Sequence, residues 1–125
     1  MPEKLYDLRT EQRDDYLYAR LDTDQTGLEV MVGYGNELAA AIRRSGCDKI
    51  LFENHAPIIY DRTKYAVAAS LFRNLVQGPI RVAIVDKRRN DKAYLGEATA
   101  SAKAAGLDAK YFPTLEAAEA WLRER

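Results

Sequence analysis

From Lys49 onward, short apolar runs alternate with stretches that repeat apolar residues every three or four positions. That alternation constrains the fold more than any single residue does. A strand followed by a helix and then another strand brings the second strand back as a parallel neighbour, through a right-handed crossover. The runs are Lys49–Glu53, Ile80–Val85 and Ala109–Phe112. Ile80–Val85 (Ile-Arg-Val-Ala-Ile-Val) is the clearest of them, lying between Gly78-Pro79 and the polar loop Asp86–Asp91.

Four helical stretches frame these runs. The first opens near a cap at Asp24 or Thr26, carries Leu28, Met31, Gly35, Leu38 and Ile42 on one face, and stops at Gly46. Asp61 is placed to cap the second, with Tyr65, Ala68, Phe72 and Leu75 inward and Gly78-Pro79 as its stop. The third ends at Gly106 and presents only Ala98, Ala102 and Ala105, a thin face that can lie close to a sheet. Thr114 caps the last after Pro113, with Ala118, Trp121 and Leu122 as anchors. Ahead of all these, Lys4–Arg9 and Tyr16–Leu21 alternate as strands do, and Glu11–Asp15 reads as a hairpin loop between them.

The expected order is β-β-α-β-α-β-α-β-α. This is one α/β domain over residues 1–125, with a five-stranded, mostly parallel sheet, an antiparallel hairpin at the start and four helices. Strands that succeed one another side by side put all their crossover helices on one face. The other face must then meet a shifted helix, a second subunit in a homodimer, or a ligand. Tyr16 and Tyr18, aromatic with polar tips, suit that half-covered face.

Composition narrows the function classes. Lys plus Arg and Asp plus Glu are both 19, so overall charge does not drive binding to nucleic acid, and no reading element for nucleic acid is present. Cys47 is alone and cannot form an internal disulfide, and no signal peptide or transmembrane run is found, which together point to the cytoplasm. Gly33-Tyr34-Gly35 lies within a helix rather than between a strand and a helix, so it reads as close packing and not as a phosphate loop. His55 is the single histidine; it pairs conceivably with Asp61 or Glu53, but no nucleophile accompanies it and no metal-ligand spacing surrounds it. No cofactor motif is present.

With these elements in place, the chain resembles the STAS domains, the fold of the bacterial anti-sigma-factor antagonists. More closely it resembles their SpoIIAA-like relatives, grouped with the Sec14 type of lipid-binding domain. The residues that carry the resemblance are Leu51-Phe52-Glu53, the Ile80–Val85 strand, and Tyr111-Phe112 followed by Glu116-Ala117-Ala118-Glu119-Ala120-Trp121-Leu122. Regulated members carry a phosphorylatable serine directly after an aspartate. Here Asp61 is followed by Arg62, Thr63 and Lys64, so phosphorylation control at this turn is not expected.

The resemblance implies a non-enzymatic binding or regulatory module. Its functional surface would be the carboxyl edge of the sheet, Glu53–Thr63 and Asp86–Asp91, because ligands of open α/β sheets sit outside the strand ends. The candidate ligand-binding residues are His55, Asp61, Lys87, Arg88 and Arg89. They would meet a protein partner or a small lipid-like or anionic molecule. The alternatives are a small hydrolase-like enzyme using His55 with Asp61 or Glu53, and a structural homo-oligomer.

Overall fold

The computed structural model describes residues 5–25, 27–56, 62–76, 78–88 and 92–124. Lys4, Thr26, Asp61, Arg89 and Asp91, each singled out above, lie outside the described residues, as does the side chain of Tyr65.

The elements follow the order expected: β1 (Asp7–Gln12), β2 (Leu17–Asp22), α1 (Leu28–Ser45), β3 (Lys49–His55), α2 (Arg62–Leu75), β4 (Arg81–Asp86), α3 (Lys92–Ala104), β5 (Ala109–Phe112) and α4 (Leu115–Arg123). The strands lie in sequence order across one sheet; β1 is antiparallel to β2 and the remaining pairs are parallel. The first strand falls later than Lys4–Arg9, the span its alternation suggested. Glu11 and Gln12 belong to it, with Gln12 opposite Leu17 and the turn closed by Arg13 N–H donating to Tyr16 O at 2.9 Å. A tight turn between paired strands leaves no room for a five-residue loop, and pairing with β2 holds Glu11 and Gln12 extended despite their polarity.

The two faces of the sheet have separate cores. Leu17, Ala19, Leu21, Ile50, Phe52, Val82 and Ala109 point one way, under α1, α2 and α3. Tyr16, Leu51, Ala83, Val85 and Phe112 point the other way, against Ala118 and Leu122 of α4. A shifted helix thus covers the face that sequential strand order leaves open. Tyr16 is buried beneath it, its hydroxyl donating to Glu119 at 2.7 Å.

Local chemistry sets the helix ends. Gly46 stops α1 in the left-handed region at φ 71°, its N–H donating to Ile42 O, a conformation that penalises any residue with a Cβ. Thr114 caps α4 through its side chain, which accepts from Ala117 N at 3.2 Å. At α1 the cap is Gly27, with no side-chain bond, rather than Asp24. Asp24 faces Arg88 instead. Gly33 is packed as the sequence suggests, since a Cβ there would stand 3.1 Å from the Tyr6 ring.

Of the residues expected in the core, Ile50, Phe52, Val82 and Leu38 are buried, whereas Ile84, Phe72 and Trp121 are only half-buried. Trp121 lies under the Arg81 guanidinium, 4.6 Å from the ring centre. Ile84 and Phe72 face a groove.

Candidate functional site

The groove arises from how the helices divide one face. α1 covers β1 and β2, and α3 covers β5. The central strands β3 and β4 are roofed by α2, which packs mainly on α1 and α3 rather than on the strands. Under that roof lies a cavity of about 110 Å³. Phe52, Ile84 and Tyr111 form its floor, Tyr34 and Leu38 one wall, and Phe72 its ceiling. Gly35, Ala68 and Ala69 keep the helices from filling it. Tyr34 stacks on Phe52 at 6.3 Å between ring centres, which holds the wall ring against the floor.

The second cluster lies on the opposite face, at the carboxyl ends of β2 and β3. Strand register sets Arg20 beside Glu53 and Asp22 beside His55. These side chains alternate with the apolar set of β2 and β3, so they point toward α4's side, beyond the part of the sheet that α4 covers. The Glu53 side chain is only 7% exposed. It accepts from the Tyr18 hydroxyl at 3.0 Å and makes a short contact with His55 Nε2, while Arg20 Nη1 stands 3.9 Å away. Arg20 also binds Asp22 at 2.9 Å, and the Arg13 guanidinium lies 4.0 Å from the Tyr18 ring centre.

Charge follows from that geometry. Burial pushes the Glu53 carboxyl up, but hydrogen bonds from His55 and Tyr18, and the attraction of His55 and Arg20, outweigh it and hold the group below the usual carboxylate range. Burial, then the bond to Glu53, push the Tyr18 hydroxyl up to about 12. The hydrogen bond from Arg20 holds the Asp22 carboxyl low. Among the described residues, every buried polar side-chain atom has a hydrogen-bond partner, and no group of three or more His, Cys, Asp or Glu side chains is placed to hold a metal ion.

Three of the five expected site residues, His55, Lys87 and Arg88, meet at this edge. Arg88 ties the loops together: its Nε donates to His55 O at 3.0 Å, its Nη2 reaches Asp24 at 3.4 Å, and its backbone N–H donates to the buried Asp86 at 3.0 Å. Lys87 N–H donates to Asn54 O at 2.9 Å, and its side chain is exposed. The His–carboxylate pair anticipated in the sequence forms with Glu53. The groove was not anticipated. Phe72 and Ile84 carry the same apolar signal as any core residue; the clue was the small residues Gly35, Ala68 and Ala69 opposite them.

No protein-family model matches the chain, and no curated protein matches it. Among the described residues, no helix is long and apolar enough to cross a membrane.

Proposed function

We propose that this chain is a non-enzymatic binding module of the STAS/SpoIIAA-like kind, and that its ligand is a small amphipathic molecule whose apolar end enters the groove beneath α2. The groove itself carries this reading. It is lined by aromatic and aliphatic side chains from three strands and two helices, and apolar concavities between a sheet and its helices are favoured places for small molecules. Its size bears on the ligand class. A dry cavity of about 150 Å³ holds benzene, so about 110 Å³ suits a compact ring or a short branched hydrocarbon end rather than a whole lipid tail. The polar end would remain outside.

Native mass spectrometry of the purified protein tests for a co-purified molecule. Titration with phenylacetate and hexanoate, followed by amide chemical shifts, tests the site. The expected result is shifts confined to Tyr34, Phe72, Ile84 and Tyr111 and their neighbours, abolished by Ala68→Leu, which fills the groove. Neither a co-purified molecule nor any such shift, or equal shifts in Ala68→Leu, would overturn the reading.

One observation favours a second reading, an acid–base enzyme. Glu53 is bonded to His55 in the way a carboxylate orients an imidazole for proton transfer. Turnover separates the two: a substrate turned over by wild type and not by His55→Ala, with groove binding kept, would favour the enzyme, because the pair lies on the other face of the sheet.

A further inference from the structure

β1 is the outermost strand on one side of the sheet, and five of its six residues are exposed. The hairpin fixes which of its backbone groups lie at the edge. Arg13 N–H donates to Tyr16 O, so Arg13 faces β2. In an antiparallel pair this facing alternates along the strand. Glu11, Arg9 and Asp7 therefore bond β2, while Gln12, Thr10 and Leu8 turn their N–H and C=O groups outward. Among the described residues, none bonds these outward groups.

An open edge is a template for another strand, and charge of one sign along it would keep a second copy away. Here Asp7, Arg9, Glu11 and Arg13 alternate in sign along one side of the strand. Within the sheet these charges are poorly matched. Register sets Asp7 opposite Asp22 and Arg9 opposite Arg20, and like charges directly opposite are unfavourable. They pair along their own strand instead, Arg9 Nε with Asp7 Oδ2 at 3.1 Å and Arg13 Nη2 with Glu11 Oε2 at 3.5 Å, and all four side chains stay between 41% and 77% exposed. A strand that runs minus, plus, minus, plus about Thr10 is its own complement when reversed.

We infer that two copies of this chain pair through β1, antiparallel about a two-fold axis at Thr10, and so join their sheets into one. In that register the two Thr10 residues exchange backbone hydrogen bonds, as does Leu8 of each copy with Gln12 of the other, about six bonds in all. The charged residues fall at the closer, non-hydrogen-bonded positions, Asp7 against Arg13 and Arg9 against Glu11, each twice by symmetry. The adjacent registers fail. An axis at Arg9 sets Arg9 against itself and Asp7 against Glu11; an axis at Glu11 sets Glu11 against itself and Arg9 against Arg13. Axes at Leu8 or Gln12 keep opposite signs but only half of the pairs. No residue of β1 lines the groove beneath α2, so this pairing does not depend on what occupies it.

Sedimentation equilibrium of the purified chain from micromolar to millimolar concentration tests the inference. The expected result is a reversible monomer–dimer equilibrium. As concentration rises, the amides of Leu8, Thr10 and Gln12 should gain protection from hydrogen exchange, and those of Arg9 and Glu11, already bonded to β2, should not. Thr10→Pro should abolish the dimer, because it removes the donor at the axis. Circular dichroism should show this variant folded, since proline is tolerated where the N–H of an edge strand faces outward. Arg9→Glu and Glu11→Arg should each weaken self-association roughly tenfold, as two cross-strand pairs turn from attraction to repulsion. An equimolar mixture of these two variants should recover the wild-type affinity, because each then meets its opposite. A wild type that stays monomeric at millimolar concentration would overturn the inference. So would a dimer that Thr10→Pro leaves intact, or a mixture that associates no better than either variant alone. A dimer lost instead in Leu71→Glu would also overturn it, by assigning self-association to the outer side of α2, where Leu71 is 43% exposed.

Discussion

The two faces of the sheet solve the same problem by opposite means. On one, three helices share five strands and leave the central pair under a roof that stands off, so the space is apolar and open. On the other, one helix lies directly on the sheet and closes it. Beyond the helix, the strand ends carry polar groups that satisfy one another: Glu53 with Tyr18 and His55, Arg20 with Asp22. The difference shows that coverage, and not hydrophobicity alone, determines where a sheet can take up a ligand. An apolar surface whose roof stands off offers room for one, whereas a polar surface whose partners are already paired does not.

Stability measurements can break this comparison. Leu122→Ala on the closed face removes a fully buried side chain that α4 cannot collapse around, and should cost ~2–5 kcal/mol in urea unfolding. A loss below about 1 kcal/mol would mean that α4 does not seal the sheet.

Glu53→Gln comes next, at about 1–3 kcal/mol near neutral pH, because a buried network loses its charge and one of its two acceptor oxygens. Its pH dependence carries a definite sign. The Glu53 carboxyl is held low in the folded protein, so its contribution is complete above the ordinary carboxylate value and is lost as pH falls through the folded value. Thermal melts of wild type and variant between neutral and acidic pH should therefore converge at the acid end. A constant gap would place the effect in packing rather than charge.

Ile84→Ala sharpens the contrast. Ile84 lines the open groove and is half-buried, so its removal widens an existing groove rather than opening a new cavity. About 1–1.5 kcal/mol is expected, less than a buried isoleucine would cost. A loss as large as that of Leu122→Ala would show that the groove closes in solution. The smallest effect belongs to Thr114→Ala, about 1 kcal/mol or less, from the lost bond to Ala117 N–H. Amide exchange confined to the first turn of α4 would report it.

The alternation of strands and helices was legible because burial on a sheet imposes a strong pattern on short runs such as Ile80–Val85, and Gly46 and Thr114 mark ends by local chemistry alone. The first strand was misplaced because Glu11 and Gln12 are extended through their pairing with β2 and not through their own preferences. Asp24 was read as a cap because a short carboxylate before a helix usually serves as one. Its partner, Arg88, lies 64 residues away, and no local pattern reports that. Of the candidate site, the meeting of His55, Lys87 and Arg88 followed from parallel strands ending at one edge. The groove did not follow, because half-buried Phe72 and Ile84 look like core until the stand-off of α2 is known. Leu75 was placed inward with Ala68 and Phe72, yet it is 38% exposed, because α2 is apolar on two sides and shows no single face.

The closure of the second face by α4 bears on how the chain reaches its structure. Most neighbouring elements in the fold are also neighbours in sequence, which favours stepwise growth of the sheet at a small loop-closure cost. The contacts between α4 and the β1–β2 hairpin span the most sequence: Glu119 bonds Tyr16 across 103 residues, and Arg123 bonds Asp15 across 108. While a nascent chain is being made, β2, β3 and β4 can therefore assemble with Leu51, Ala83 and Val85 bare until α4 emerges. In that interval the half-finished sheet presents a water-facing apolar surface of the type that chaperones bind, and α4 ends it by joining the latest residues of the fold to the earliest.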